Sequence, residues 1–266
     1  MDIVFQIALH KKDLELLKQI QAFFGGIGTI STNPATGMCA FRVTSPKQIL
    51  NKIIPHFNKY NLITQKQADY LLFKKIVNLI EQEEHLKEEG LQLIINIRAS
   101  LNLGLSEALK AAFPDTIPVV RPYISSSEIP HPEWMAGFTT GEGCFSIKIT
   151  KGRNKAGVGV SLIFQVSQHI RDKELLKSFV TYFKCGHYVN PFHKEWGYFQ
   201  CTKFSDNYNI IVPFFTQYHI WGVKAKDLAD WVEAAKIINK GDHLTTEGSS
   251  KIRSIKAGMN TGRSLE

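Results

Sequence analysis

Cysteine is scarce in this sequence and poorly spaced for metal or disulfide chemistry. Its four copies, Cys39, Cys144, Cys185 and Cys201, stand singly with no C-x-x-C pair. That spacing argues against a zinc ribbon or a disulfide framework and for reduced thiols, three of them in strand patterns. No apolar run is long enough to span a membrane. A signal-peptide layout is missing too, because Asp2, His10, Lys11 and Lys12 interrupt the opening residues. Acidic residues are in deficit: 24 Asp and Glu face 32 Lys and Arg, for a formal charge of +8. Such a surplus points to polyanionic partners, nucleic acid first. The expectation is a soluble, basic, intracellular protein. With 266 residues, 44% of them hydrophobic, the chain can build one large domain or two ordinary ones.

The chain repeats itself. Ile3-Val4-Phe5-Gln6-Ile7, followed by His10, Asp13, Leu16, Leu17 and Lys18, returns as Leu162-Ile163-Phe164-Gln165-Val166 with His169, Asp172, Leu175, Leu176 and Lys177. The offset is 159 (164 − 5). Thr44, Pro55, Phe57, Tyr60, Lys66 and Asp69 return as Thr202, Pro213, Phe215, Tyr218, Lys224 and Asp227, at an offset of 158 (213 − 55). Each copy reads strand, helix, two strands, then helices, from period-two alternation followed by helical spacing. Between the copies lie Pro114, Pro118, Pro122, Pro130 and Pro132 and the run Ser125-Ser126-Ser127. Prolines at that density predict an extended connector. The expected division is residues 1–110, a connector over 111–131, and residues 132–266.

One stretch carries the chemistry. Met135 to Thr140 reads as a short apolar helix, and Gly141 and Gly143 are expected to end it. Glu142 stands between the two glycines. Phe145, Ile147 and Ile149 then alternate with Ser146, Lys148 and Thr150, as in a half-buried strand. An acid beside the free carbonyls of a helix end gives the oxygen-rich setting a hard divalent cation requires.

Met135-Ala136-Gly137-Phe138-Thr139-Thr140-Gly141-Glu142-Gly143 resembles one copy of the motif that names the LAGLIDADG homing endonucleases. With the repeat, the likeness extends over nearly the whole chain, to the single-chain enzymes of fungal mitochondrial introns. The resemblance implies an α+β fold of two pseudo-twofold-related αββαββα-type units, a homing endonuclease-like saddle. It implies two motif helices packed side by side, with Ala136 and Gly137 allowing close approach. It also implies two acids sharing Mg²⁺ or another divalent metal over the scissile phosphates of a double-stranded DNA target, in mitochondria.

Within that likeness Glu142 is the metal-binding catalytic acid and Gly141 the carbonyl ligand. Gln168 falls where a polar residue orders water, and Lys66 and Lys224 fall where lysine stabilises phosphate charge. Strand alternation nominates the DNA-reading face. It takes Gln6, Arg42 and Thr44 from the first copy, and Ser146, Lys148, Thr150, Ser161, Gln165, Ser167, Tyr198, Gln200 and Thr202 from the second. Arg153 and Lys155 are expected at phosphates. His85 and His243 recur as well, but each precedes a leucine in a helical stretch, which assigns them to packing or capping.

The resemblance has a gap. Glu142 lies 22 residues before Phe164 (164 − 142), whereas only four residues precede Phe5. The first copy therefore begins without a motif helix, acid or opening strand. Either the frame continues from an upstream exon, or the chain is a degenerate remnant, or a second chain fills the gap. The chain by itself is expected to cut poorly, to expose an apolar face at Trp134, Met135 and Phe138, and to self-associate. Two other functions use the same scaffold: an RNA maturase assisting intron splicing, which needs a basic surface but no Glu142, and a non-catalytic DNA-binding remnant.

Overall fold

The computed structural model describes residues 2–101, 103–124, 128–152 and 157–263. Its contacts divide the chain into two compact units, Met1–Ser126 and Ser127–Glu266. No described helix is long and apolar enough to cross a membrane.

In the first unit, β1 (Phe5–His10), β2 (Thr29–Asn33) and β3 (Met38–Val43) form an antiparallel sheet of order β1-β3-β2. Helix α1 (Leu14–Phe23) follows β1. Phe5 pairs with Val43 and Gln6 with Arg42, so the two alternating faces face opposite ways in register. Phe41 and Val43 are fully buried, whereas Phe5 and Ile7, which pair with them across β1 and β3, are only half-buried. The reason is topological: β1 is an edge strand of this sheet. Five helices complete the unit: α2 (Pro46–Gln48), α3 (Ile54–Lys59), α4 (Lys66–Glu81), α5 (Glu88–Ala99) and α6 (Glu107–Ala112).

The proline-rich stretch after α6 folds back on this unit. Arg121 Nη1 donates to Asp69 Oδ1 at 2.6 Å and to Ser100 O at 3.0 Å, and its Nη2 donates to Gln65 O at 3.0 Å. The two units divide within the Ser125-Ser126-Ser127 run, which lies outside the described residues.

The second unit opens with α7 (Pro132–Glu142) and a sheet of β4 (Gly143–Lys151), β5 (Val158–His169), β6 (His187–Val189) and β7 (Trp196–Cys201), in the order β4-β5-β7-β6. Helix α8 (Lys173–Phe183) follows β5. The chain then continues through α9 (Phe204–Asp206), α10 (Val212–Gln217), α11 (Val223–Asn239) and α12 (Thr246–Ala257). A π-helical turn precedes the proline-bearing helix in both units, Ile49–Ile53 before Pro55 and Asn207–Ile211 before Pro213. Proline has no N–H and crowds the carbonyl four residues back, and a widened turn relieves both problems.

Element for element, β1 corresponds to β5, α1 to α8, β2 to β6, β3 to β7, and α2–α5 to α9–α12. The recurring His10 and His169 close the corresponding strands β1 and β5. Their Nδ1 atoms accept from Lys12 N at 3.3 Å and Arg171 N at 3.1 Å, starting the next turn. Helix α7 and strand β4 have no counterpart among the described residues of the first unit.

Aromatic packing holds the second unit. Phe145 and Phe164, opposite each other on β4 and β5, stack at 5.1 Å, with Phe215 edge-on to both. Fully buried Trp231 packs on Phe145 and donates its indole N–H to Ser146 O at 3.1 Å. This core fixes β4, and through it the end of α7.

Candidate active site

Helix α7 starts where the sequence favours a start. Pro132 occupies the first turn, and His131 Nδ1 accepts from Glu133 N at 3.2 Å. It ends later than the glycines suggest. Gly141 and Glu142 are both helical, and Gly143, at φ −77° and ψ 158°, is already extended. Gly141 therefore does not end the helix as expected, whereas Gly143 does as its C-cap, though without a left-handed conformation. Gly143 serves close approach instead: a Cβ there would lie 2.4 Å from Thr139 Cγ2 and 2.8 Å from Thr139 O. Chain direction changes from helix to strand within one residue, which leaves Glu142 exposed at the junction.

Met135 is fully buried. Trp134 stacks on Phe138 at 4.7 Å, and Phe138 meets Phe179 edge-on at 6.0 Å. Of the three residues expected to expose an apolar face, Met135 is covered, whereas Trp134 and Phe138 stay half-buried, with Phe179 of α8 against Phe138. The exposed positions of α7 include the small residues Gly137 and Gly141.

Lys224, in the first turn of α11, closes the site. Its Nζ donates to Thr139 O at 3.2 Å and to Gly141 O at 3.1 Å. The positive charge that a helix C-terminus favours is thus provided by a lysine. The Gly141 carbonyl assigned to a metal already accepts one hydrogen bond, with a second lone pair remaining. Trp221 N donates to Thr140 Oγ1 at 3.2 Å, tying the loop before α11 to the same helical turn.

Behind Lys224, buried Asp227 accepts from Asn260 N at 2.9 Å, Arg263 Nε at 3.0 Å and Arg263 Nη2 at 2.7 Å. These contacts brace α11 against the turn that ends the described chain. The first unit repeats the arrangement with a different arginine, Arg121 on Asp69, while Lys66 is exposed at the head of α4. Lys66 stands at the rim of a groove of about 400 Å³ lined by Val4, Phe57, Phe73 and Leu103 among others.

Gln168 is half-buried, two residues past the Gly143–Val166 pair and on the Phe164–Val166 side of β5. It therefore lies at the Glu142 end of the sheet, on the face opposite Gln165 and Ser167. That opposite face carries the remaining candidates in rows. Cys144, Gln165, Gln200 and His187 share one row, Lys148 and Ser161 another, and Ser167, Tyr198 and Val189 a third. Gln200 Nε2 donates to Gln165 Oε1, and Gln165 Nε2 to Ser167 Oγ, both at 3.0 Å. Ser146 lies on this face opposite Ile163, and Thr150 opposite Gly159. In the first unit Arg42 Nε donates to Gln6 Oε1 at 2.7 Å. Thr44 and Thr202 fall just beyond the ends of β3 and β7, both exposed. Arg153 and Lys155 lie outside the described residues.

A family model described as LAGLIDADG endonuclease matches residues 1–77 and 135–235. The chain belongs to the LAGLIDADG endonuclease family. Two relatives from Neurospora crassa have names of the same kind. "Probable intron-encoded endonuclease 2" is 40% identical over 98% of this chain and 59% of its own length. "Probable intron-encoded endonuclease 3" is 39% identical over 93% of this chain and 46% of its own. The chain thus spans about half the length of these curated relatives.

Among solved structures, the LAGLIDADG homing endonuclease I-SmaMI bound to cleaved DNA superposes with a TM-score of 0.96. It is 43% identical, over 98% of this chain and 87% of the I-SmaMI chain. I-SmaMI has also been solved on uncleaved DNA in the presence of calcium ions. Single and double lysine-to-alanine variants of it are known, the two lysines 159 residues apart in that chain (262 − 103). Lys66 and Lys224 stand 158 apart here (224 − 66).

Several neighbours of these candidates are not evident from sequence. Trp196, stacked on Tyr198 at 5.8 Å, and His187 join the polar sheet face, where strand pairing places them. Trp221 and Arg263 act through contacts made by loops, where no periodicity signals a partner. Cys144 follows from alternation alone, since it shares the face of Ser146 and Lys148.

Proposed function

We propose that this protein is a site-specific double-stranded DNA endonuclease of the homing type, hydrolysing phosphodiesters with a divalent cation. The observation that carries this reading is the exposed carboxylate of Glu142 at the C-terminus of α7, braced by Lys224 and adjoining a polar sheet face. The oxygens present fit a hard cation: a carboxylate and the Gly141 carbonyl, with water and phosphate completing its shell. Glu142 and Gly141 would hold the ion, with magnesium as the proposed metal. When bound, such an ion stabilises charge on phosphate oxygens and lowers the pKa of coordinated water.

The chain's own residues do the rest. Lys224, fixed by the Thr139 and Gly141 carbonyls, sets a positive charge at the end of the helix that carries Glu142, where it steadies the charge that builds on phosphate. Lys66 is assigned the same role in the first unit, a reading supported by the lysine spacing in I-SmaMI. Gln168 is proposed to order water at the Glu142 end of the sheet.

The sheet faces read sequence. Ser161 to Ser167 on β5 spans roughly 20 Å, at about 3.3 Å per residue, the length of about six base pairs at 3.4 Å each. Glutamine, serine, lysine and arginine side chains at that pitch can read base edges in a major groove. Ser146, Lys148, Thr150, Ser161, Gln165, Ser167, Tyr198, Gln200 and Thr202 make up this face in one unit, and Gln6, Arg42 and Thr44 in the other. Relatives named as intron-encoded support an intron origin, and a mitochondrial location is proposed with it.

The test is selection of a cleavable site from a randomised duplex library with Mg²⁺. Recovery of one preferred site, weakened by Gln165→Ala and Gln200→Ala at a subset of positions, is the expected result. Absence of any metal-dependent cleavage, or cleavage without sequence preference, would overturn the reading. Splicing stimulation without cleavage would assign the scaffold to RNA.

A further inference from the structure

Cys185 and Cys201, sixteen residues apart in sequence, meet in the core of the second unit with their sulfurs 3.8 Å apart. Asp206 joins them: one ligand atom from each of the three lies within 4.8 Å of the others. Cys185 sits in the turn between α8 and β6, Cys201 ends β7, and Asp206 belongs to α9. Three separate elements therefore converge at one point. Both thiols are buried, at 8% and 0% exposed, and Asp206 opens the cluster to solvent with its side chain 23% exposed. Lys203 pairs with Asp206 Oδ1 at 3.2 Å, and Ser205 Oγ donates to the same oxygen at 3.3 Å.

The internal repeat supplies a control for whether packing alone needs these residues. Gly28 and Gly186, both at positive φ and both crowded against the facing strand, fix the register between the units. At that register Cys185 corresponds to Ile27, Cys201 to Val43 and Asp206 to Gln48. The sister unit fills the position with two aliphatic side chains and an amide, and it builds the same strands and helices. Two thiols and a carboxylate are therefore chemistry added to a scaffold that does without them. Geometry says which chemistry. A tetrahedral zinc ion with Zn–S bonds of about 2.3 Å holds its sulfurs about 3.8 Å apart. A disulfide would need them at about 2.05 Å.

We propose that Cys185, Cys201 and Asp206 form a binding site for a soft divalent cation of the zinc class, separate from the hard-cation site at Glu142. The ion clips the α8–β6 turn, the end of β7 and α9 together, with its fourth position open to water. Thiolate ligands select it against magnesium and calcium, which take oxygen. The site is independent of the nuclease reading, because none of its residues touches the Glu142 end of the sheet.

Cobalt(II) is the probe, added to the metal-stripped, reduced full chain in excess Mg²⁺, which fills oxygen sites. One equivalent of cobalt with thiolate-to-cobalt charge-transfer bands, displaced by zinc, is expected. The double variant Cys185→Ile, Cys201→Val carries the sister unit's own residues. It should lose those bands and keep the melting temperature of the metal-free parent. Zinc at a free concentration about 100-fold above its Kd should raise the parent's Tm by roughly 5–10 °C and leave the double variant unmoved. Asp206→Gln keeps both thiols and should weaken zinc by at least about tenfold. Absence of thiolate bands in the parent, or bands that survive the double variant, would overturn the proposal.

Discussion

Gly143→Ala tests how the motif helix is joined to its sheet. The added Cβ would meet Thr139 Cγ2 at 2.4 Å and Thr139 O at 2.8 Å. Thr139 is 0% exposed, and its carbonyl accepts from both Gly143 N and Lys224 Nζ. It cannot swing aside without breaking the contacts that hold the site. Backbone conformation contributes nothing to the cost, because φ of −77° suits any residue. What remains is overpacking, roughly 1–3 kcal/mol, or a fall in Tm of about 2–12 °C for a chain of this size.

Gly137 and Gly141 in the same helix provide the contrast, since a Cβ at either meets nothing within 4 Å. Alanine there removes glycine's conformational penalty and should stabilise by about 0.5–1 kcal/mol. Thermal melts of the three single variants read the outcome. Shifts of one sign in all three, or a Gly143→Ala variant that melts with the parent, would refute the junction as described.

Other consequences are open to simple measurement. Lys224→Met removes a half-buried ammonium from two carbonyls and should cost about 1.5–3 kcal/mol in denaturant titration. Lys66→Met, at an exposed position, should stay within about 0.5 kcal/mol of the parent. Asp227→Asn removes one of two carboxylates from Arg263, which keeps Asp230 at 2.6 Å, and should destabilise by about 1–3 kcal/mol, seen as a lower denaturation midpoint. Burial, with Cys185 alongside, pushes the Cys201 thiol well above its ordinary pKa. The folded thiol then keeps a proton that the unfolded one releases above about pH 8.5, so the stability present below that pH is lost as pH rises. The loss should approach about 1.4 kcal/mol per pH unit in metal-free protein, and Cys201→Val should flatten that slope. With +8 net charge, DNA affinity should fall linearly with the logarithm of salt concentration in a filter-binding series.

Much of this molecule is legible in its residues. Phe145, Ile147, Leu162, Phe164, Phe199 and Cys201 alternate with Ser146, Lys148, Ser161, Gln165 and Gln200, and period two assigns both faces of the sheet without any structure. The doubled pattern from His10 and His169 onward gives the element order of each unit. Other features escape because they depend on contacts between distant residues. Glycine signals a helix end through left-handed backbone, but Gly143 is there because Thr139 leaves no room for a side chain. Phe138 meets Phe179 from α8, a contact that the sequence of the lone helix does not show. Arg121 and Arg263 serve equivalent aspartates from unrelated positions, so the repeat could not reveal them. Cys185 and Cys201 read as solitary until strand pairing brings them together.

The central claim is that Glu142 performs metal-dependent hydrolysis while the sheet faces hold the DNA. Glu142→Gln, assayed with Mg²⁺ on a selected duplex at protein concentrations that saturate binding, tests it most directly. The account predicts unchanged affinity in gel shift and loss of strand cleavage. Cleavage by the variant at the parent's rate would contradict it.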